Sequence, residues 1–297
     1  MCTAINFKTK DYYFGRNLDL EYSYQETVTV TPRNYPFRFR MVGEMDVHYA
    51  IIGMAYVVDG YPLYYDATNE KGVSIAGLRF AGNAHYPARA EGKDNVAPFE
   101  FIPWILAQCE NMQQVRKLLA KVNLANEPFS PELPLTPLHW MISYKDETVV
   151  VESMKDGLHV HNNFVGVMTN NPPFPIQMWN LENENVLPGD LSSPSRFVRA
   201  AHVLKNSVCG LGEEESVGQF FHILTAVEQQ RGCNRVESGQ YEITAYSSCC
   251  NADKGIYYYV TYGNRQINAV DMHREDLDGK EAVAYSLLKK EQICYQN

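Results

Sequence analysis

The first residues of the chain contain the residue type with the clearest chemical potential. Cys2 directly follows Met1, and methionine aminopeptidases remove an initiator methionine when the next side chain is this small. The mature chain would then begin with a residue that has both a thiol and a free α-amine, with ordinary pKa values of about 8.5 and about 7.7–8.0. The thiolate is a nucleophile and the amine an adjacent base. This pair suits an N-terminal nucleophile hydrolase, although a Cys after Met is more often incidental.

Three charged side chains could assist such a nucleophile. Arg16 and Asp19 are three residues apart; an arginine beside a thiol lowers the pKa of the thiol, and an aspartate within reach can orient it. Taken alone, this pattern is more often a surface ion pair. Arg196 opens a predicted helix, where it could add positive charge to a site or pair with Asp190.

Amide and imidazole side chains offer weaker signals. Asn170 and Asn171 precede two prolines, and an Asn aimed at a developing oxyanion is worth about 2.7–4 kcal/mol to a transition state. Asn-Pro is also ordinary turn chemistry, which is the commoner interpretation here. His159 and His161 would share one strand face, but no third ligand is suggested by spacing, so packed or solvated histidines are expected rather than a metal site.

Composition bounds the class of protein. The 297 residues are 45% hydrophobic and 21% charged with a net charge of −9, which is typical of a globular chain and argues against nucleic-acid or anionic-membrane binding. No basic segment followed by an apolar run opens the chain, so we expect a cytoplasmic protein whose seven cysteines stay reduced. The vicinal Cys249 and Cys250 are expected to be buried apolar residues.

The elements that must position these residues follow from periodicity. Alternating patterns predict a hairpin that starts at Cys2, and apolar spacing predicts helices after Pro98. Prolines at every third position predict an extended loop over 127–138. The further predicted strands are 26–32, 47–58, 62–67, 72–78, 148–152, 158–161, 165–168, 241–247, 255–262 and 266–272, and the further predicted helices are 193–205 and 215–230. Runs of strands and of helices predict an α+β fold with two stacked antiparallel sheets between helix layers.

Short motifs that are specific in combination are spread over nearly the whole chain. They are Met-Cys-Thr-Ala at 1–4, Tyr-Phe-Gly-Arg-Asn-Leu-Asp at 13–19, Thr-Pro-Arg-Asn-Tyr at 31–35, Pro-Leu-Tyr-Tyr-Asp-Ala at 62–67, Phe-Glu-Phe-Ile-Pro-Trp at 99–104, Pro-Leu-His-Trp at 137–140, Thr-Asn-Asn-Pro at 169–172, Ser-Arg-Phe at 195–197, Val-Glu-Gln-Gln at 227–230 and Tyr-Ser-Ser at 246–248. In these motifs the chain resembles the choloylglycine hydrolase family nearly from end to end, and it is most similar to bile salt hydrolases of Gram-positive gut bacteria. The resemblance implies a single N-terminal nucleophile domain over 1–297, with 2–297 as the mature chain and an αββα sandwich as the fold.

The same resemblance implies hydrolysis of the amide that joins a bile acid to glycine or taurine, with neither cofactor nor metal. It assigns Cys2 as nucleophile with its own amine as base, Arg16 and Asp19 as the groups that tune and orient it, Asn171 as oxyanion donor and Arg196 as the last polar residue of the site. Four residues match positions that line the steroid pocket: Leu18, Tyr24, Leu133 and Leu135. Apolar and aromatic side chains suit a largely hydrophobic substrate.

Two departures from the family pattern bear on function. Arg79 stands where bile salt hydrolases usually have Asn and penicillin acylases often Tyr; a cation here could attract the carboxylate or sulfonate of the leaving group, or block the pocket. The segment 182–186 replaces one roughly two dozen residues longer that forms a tetramer-assembly arm. A homo-oligomer is implied by the resemblance, but a tetramer built through that arm is not expected.

Two other functions fit the sequence. The same chemistry could act on penicillin V or another N-acyl compound, or the protein could be a relative that binds bile-like amphiphiles without turnover. Comparing kcat/KM across the substrates would separate the first alternative from bile salt hydrolysis. Tight binding without hydrolysis would indicate the second.

Overall fold

The computed structural model describes residues 1–184 and 186–297. Strands predominate, and helices are confined to a few short segments. The strands are β1 (Cys2–Lys8), β2 (Tyr12–Leu20), β3 (Thr27–Thr31), β4 (Phe37–Phe39), β5 (Gly43–Met45), β6 (Ile51–Val58), β7 (Tyr61–Asn69), β8 (Ser74–Arg79), β9 (Asp94–Val96), β10 (Val122–Leu124), β11 (Leu138–Tyr144), β12 (Glu147–Met154), β13 (Gly157–Asn162), β14 (Val167–Met168), β15 (Ile243–Asn251), β16 (Ile256–Thr261), β17 (Asn264–Asp271) and β18 (Val283–Ser286). The helices are α1 (Phe101–Gln108), α2 (Met112–Leu119), α3 (Phe174–Asn183), α4 (Ser193–Asn206) and α5 (Glu213–Thr225).

Two large sheets organise the molecule. The six-stranded sheet has the order β14-β1-β2-β15-β16-β17, and the eight-stranded sheet has the order β13-β12-β11-β8-β7-β6-β3-β18. Every pairing within them is antiparallel. Because β1 lies between β14 and β2, the N-terminal strand is held by hydrogen bonds on both of its sides.

Two hydrophobic cores match the layers. One lies between the sheets and continues under α4 and α5, where Phe197 and Phe220 are fully buried. The other lies between the eight-stranded sheet and the α1–α2 pair, around Phe101 and Trp140. The arrangement is the four-layer αββα sandwich that the sequence predicted. None of the helices in the described part of the chain has the length and apolarity needed to cross a membrane.

Most predicted elements are present with shifted ends. The strand predicted over 47–58 begins only at Ile51, and the helix predicted over 215–230 ends at Thr225. Helix α3 and several strands were not predicted, namely β4, β5, β9, β10, β11 and β18. Helix α3 follows Pro172-Pro173 and has little amphipathic periodicity. It includes part of the shortened segment 182–186, of which Asn185 lies outside the described residues. Cys249 and Cys250 are buried free thiols, as predicted.

Two β-bulges adjust the interior where the polar residues lie. In the β6–β7 pairing, Met54 is opposite Asp66 and Ala55 is opposite Tyr64, which leaves Tyr65 as the extra residue. In the β2–β15 pairing, the register also shifts, between Thr244 and Tyr246. Since a shift of one residue moves side chains to the other sheet face, each bulge re-aims the residues that follow it.

Candidate active site

Cys2 is the first residue of β1 and is almost completely buried, with 4% of its surface exposed. It pairs with Leu18 of β2. Its backbone N–H donates to Asn170 Oδ1 at 2.6 Å, and its carbonyl oxygen accepts from Arg196 Nη1 at 2.6 Å. The backbone of the candidate nucleophile is therefore fixed on both sides by side chains.

Met1 extends the β1–β2 ladder by one residue in this unprocessed chain. Its α-amine donates to the carbonyl oxygen of Asp19 at 2.7 Å, and the Asp19 N–H donates to the Met1 carbonyl oxygen at 2.8 Å. The amine also pairs with the buried Glu242 carboxylate. Burial lowers the pKa of this amine, although Cys2 and Asp19 act in the opposite direction. While Met1 is present, the Cys2 nitrogen is an amide and cannot act as a base.

Arg16 is fully buried between the two sheets. From β2 it donates through Nη1 to the carbonyl oxygens of Gly77 at 2.6 Å and Tyr65 at 3.2 Å, both on the eight-stranded sheet. Its Nη2 has no hydrogen-bond partner among the described residues. Burial alone would lower the pKa of the Arg16 guanidinium, but the acidic groups around it, with Cys2 the largest, raise it above its ordinary value. In the β1–β2 register Arg16 pairs with Ala4 and Leu18 with Cys2, so the Arg16 cation and the thiol lie on the same sheet face, two positions apart.

Asp19 and Arg196 are both fully buried and face one another, with 3.8 Å between Asp19 Oδ2 and Arg196 Nη1. Thr244 Oγ1 donates to Asp19 Oδ1 at 2.6 Å. Arg196, in the first turn of α4, also donates from Nη1 to Thr3 Oγ1 at 2.7 Å. Burial lowers the pKa of the Arg196 guanidinium, and the charges of Asp19 and Cys2 partly offset this. The surface ion pair considered for these arginines is excluded by their burial.

The two consecutive asparagines have different environments. Asn170 Oδ1 accepts from both the Cys2 N–H and Arg196 Nη2, the latter at 2.9 Å. Asn171 Nδ2 instead donates to the carbonyl oxygen of Ala81 at 2.8 Å, and its Oδ1 accepts from Asn83. The side chain that contacts the nucleophile is therefore that of Asn170, and the oxyanion role predicted for Asn171 stays a prediction.

A buried support holds the Asn170 segment in place. Gln177 Nε2 donates to the carbonyl oxygens of Asn170 at 2.8 Å and Pro172 at 2.7 Å. His139 Nε2 lies 2.8 Å from the carbonyl oxygen of Thr169. The sequence did not identify Gln177 or His139 as supports of this segment. Their partners at 169–172 lie outside their own elements and follow β14, a strand of only two residues.

Except for Leu18, the residues assigned to the leaving group and the steroid pocket are more exposed than the polar cluster. Arg79 ends β8 with an exposed side chain, and its carbonyl oxygen accepts from Asn170 Nδ2 at 2.8 Å. Leu18 is buried opposite Cys2. Tyr24 is half-buried against Tyr22 and Tyr56, and the loop residues Leu133 and Leu135 are also half-buried. Leu18 and the backbone of Arg79 are thus placed beside the polar cluster.

The histidines of β13 stack on one another with ring centroids 6.0 Å apart. His159 lies 2.9 Å from Asp156 and His161 3.5 Å from the buried Glu152. Within residues 1–184 and 186–297, no group of three or more His, Cys, Asp or Glu side chains could hold a metal ion.

Comparisons with known proteins agree with one another. The family model described as linear amide C–N hydrolases, choloylglycine hydrolase family, matches residues 2–186 and 183–285. A bile salt hydrolase/transferase of Lactiplantibacillus plantarum is 50% identical, and one of Clostridium perfringens is 36% identical, with all of both chains covered in each case.

Solved structures show the same relationship. The crystal structure of a conjugated bile acid hydrolase variant from Clostridium perfringens matches with a TM-score of 0.92, 35% identity and full coverage of both chains. A penicillin V acylase from Agrobacterium tumefaciens shares the fold at a TM-score of 0.78 and 17% identity, covering 98% of this chain and 94% of its own. The two ranges matched by the family model overlap at residues 183–186, within the segment that the sequence suggested is shortened.

Proposed function

Because the chain belongs to the choloylglycine hydrolase family of linear amide C–N hydrolases, we propose that it cleaves the amide between a bile acid and glycine or taurine, with Cys2 as nucleophile. The observation that carries this proposal is the position of Cys2 at the start of β1, inside a buried cluster of charged and amide side chains. The relatives named as bile salt or conjugated bile acid hydrolases support the substrate class. The mature chain, 2–297, would act as one domain.

The reaction follows from an N-terminal thiol beside its own amine. Cys2 Sγ attacks the amide carbonyl carbon, and the thiol proton passes to the α-amine. As the tetrahedral intermediate collapses, that proton goes to the leaving nitrogen, so glycine or taurine departs and a thioester remains. The amine then takes a proton from water, whose oxygen attacks the thioester and releases the bile acid and the thiol.

The buried charges have distinct tasks in this scheme. Arg16, with Nη2 left unpartnered among the described residues, favours the thiolate. Asn170 Oδ1 is within hydrogen-bond distance of the Cys2 nitrogen, so Asn170 is proposed to hold the α-amine that Met1 removal would free. Asp19 and Arg196 orient this end of β1 through the contacts already described.

The substrate would contact both apolar and charged groups. Leu18, Tyr24, Leu133 and Leu135 are proposed to line the site for the steroid body. Arg79 is exposed and makes no ion pair within the described part of the chain, so its guanidinium is available to attract the carboxylate or sulfonate of the conjugate.

The connection between α3 and α4 bears on assembly. We infer a homo-oligomer whose contacts do not use the tetramer-assembly arm of the family, because only the short segment 184–192 connects α3 to α4. The alignment with the Lactiplantibacillus plantarum relative spans 324 positions against 297 residues here, so at least 324 − 297 = 27 positions have no counterpart in this chain.

One experiment tests both maturation and activity. Intact mass of the purified protein reports whether Met1 is absent, and incubation with glycocholate, taurocholate and penicillin V reports turnover. We expect the processed protein to release glycine or taurine, and Cys2→Ser to reduce this nearly to background. Cys233→Ser, at an exposed thiol, is the matched control and should retain activity. Turnover of bile salts by the Cys2→Ser variant would contradict the mechanism, and preferential cleavage of penicillin V would contradict the substrate.

A further inference from the structure

Asp66 is a buried carboxylate for which the proposed reaction has no task. It lies on β7 with 2% of its surface exposed. Three hydroxyls donate to it: Tyr246 Oη to Oδ1 at 2.7 Å, and Tyr257 Oη and Ser248 Oγ to Oδ2 at 2.6 and 3.0 Å. An ionised carboxylate only accepts hydrogen bonds, so these three hydroxyls can stabilise the Asp66 charge against the burial that raises the pKa of Asp66.

The Asp66 cluster is connected to Arg16. Ser248 Oγ, which donates to Asp66, accepts from the backbone N–H of Arg16 at 3.2 Å. Arg16 reaches from the six-stranded sheet to the carbonyl oxygen of Tyr65, the neighbour of Asp66 in the chain. Asp66 reaches in the opposite direction, from the eight-stranded sheet to β15 and β16. The two side chains therefore cross the same interior space.

The two β-bulges position the residues that Arg16 and Asp66 contact. The extra residue in β7 presents the Tyr65 carbonyl to Arg16 while Asp66 still faces the other sheet. The shift in β15 separates Thr244, which contacts Asp19, from Tyr246, which contacts Asp66. Strand β15 thereby donates a hydroxyl hydrogen bond to each of two buried carboxylates, Asp19 and Asp66.

The charges of Asp66 and Arg16 act on one another. Burial raises the pKa of Asp66 above its ordinary value, and the Arg16 charge and the three hydroxyls oppose this rise. Conversely, Asp66 is among the acidic groups that raise the pKa of Arg16, after Cys2 and Tyr246. An anion that stabilises the Arg16 charge also weakens the field of that charge at the thiol.

We propose that Asp66 is a positioning residue that acts through Arg16 and sets how strongly Arg16 favours the Cys2 thiolate. A thiolate that is too strongly stabilised is a weaker nucleophile. The Asp66 charge keeps the arginine from reaching that limit. This role rests on the proposed use of Cys2 as nucleophile, but it concerns the thiol itself and not the identity of the substrate.

Other groups around the thiol must be considered in any pH experiment. They come from β2, α4, β15, β16 and the segment before β15, and in the mature protein they are joined by the α-amine of Cys2 itself. These groups are Arg16, Asp19, Arg196, Tyr246, Tyr257 and Glu242. Replacing Asp66 changes the surroundings of Arg16, Tyr246 and Tyr257. Asp19, Arg196 and Glu242 keep their direct partners.

The test is the pH dependence of Cys2 alkylation by iodoacetamide, followed on the N-terminal peptide by mass spectrometry. Asp66→Asn removes the charge but keeps the size, and the neighbouring hydroxyls can reorient to accept from the new amide. We expect the midpoint of the rate profile to move at least about half a unit to lower pH. The plateau rate should fall about 1.5- to 3-fold, as the nucleophilicity of a more acidic thiol does.

Controls separate this role from a purely structural one. Glu100→Gln also converts a fully buried carboxylate to an amide, but in the other core, and should leave the midpoint unchanged. Asp66→Glu, which restores the charge, should return it towards the wild-type pH. If Asp66→Asn does not fold, Tyr257→Phe removes one donor from the carboxylate, makes Asp66 easier to protonate, and should move the midpoint in the same direction by less.

An unchanged or raised midpoint in folded Asp66→Asn would overturn the proposal. Failure of bile salt turnover would not, because alkylation does not depend on any substrate. A midpoint shift in a protein that cleaves no bile salt would therefore refute the proposed substrate and leave the role of Asp66 standing.

Discussion

At the scale of single residues, the adjacent Asn170 and Asn171 differ in what their side chains contact. Asn170 contacts the Cys2 nitrogen, whereas Asn171 contacts Ala81 and Asn83. We expect Asn170→Ala to lower kcat/KM for glycocholate about 10²-fold, because the α-amine that acts as base would no longer be held in position. Asn171→Ala is the matched variant and should cost far less. Steady-state kinetics decide, and a larger loss for Asn171→Ala would restore the role first predicted for it.

Arg79 offers a second prediction at this scale. Arg79→Gln should raise KM for glycocholate and taurocholate about two- to fivefold with little change in kcat, because an exposed ion pair is worth up to about 1 kcal/mol. A neutral bile acid amide that lacks the carboxylate or sulfonate is the control substrate and should be unaffected. A lowered KM for the charged conjugates would show instead that the arginine obstructs the pocket.

At the scale of elements, Gly15 determines how closely β2 and β15 approach. A Cβ at this position would lie 2.0 Å from the carbonyl oxygen of Ser248, a backbone atom. We therefore expect Gly15→Ala to lower the free energy of unfolding by about 3 kcal/mol or more, since the strands must separate to admit the methyl group.

The control for Gly15 is a glycine with open space around it. Gly218 lies inside α5 and has no neighbour within 4 Å of its built Cβ. Gly218→Ala should stabilise the protein by about 0.5–1 kcal/mol, the helix preference for Ala over Gly. Chemical denaturation of both variants measures the difference. Equal effects would show that the approach of β2 and β15 is not sterically limited.

Elements with local sequence patterns could be predicted from the sequence, whereas contacts between distant elements could not. The hairpin that begins at Cys2 and the helix that begins at Ser193 followed from periodicity, because their patterns are local. The choice between Asn170 and Asn171 did not, since it depends on how a turn between β14 and α3 meets β1. Asp66 was noticed only as part of a motif, because its partners are on strands about 180 residues further along the chain.

At the scale of the whole molecule, the proposed mechanism requires that Met1 be removed, because only then is the Cys2 nitrogen a free amine. In the unprocessed chain, Met1 is held by Asp19 and Glu242. We expect precursor made in the presence of a methionine aminopeptidase inhibitor to be inactive towards bile salts. Purified aminopeptidase should then act slowly on the folded precursor and faster on its Glu242→Gln variant, which loses the charge that holds the amine. Intact mass over time measures both rates, and an active precursor would contradict this dependence.

The crossing of Arg16 and Asp66 also has a mechanical meaning. Each side chain is rooted in one sheet and hydrogen-bonded to the other, so together they resist shear in both directions along the interface. Sliding one sheet over the other would break charged hydrogen bonds inside a region closed to water, which is costly. We therefore expect the two sheets to keep their register when a substrate binds.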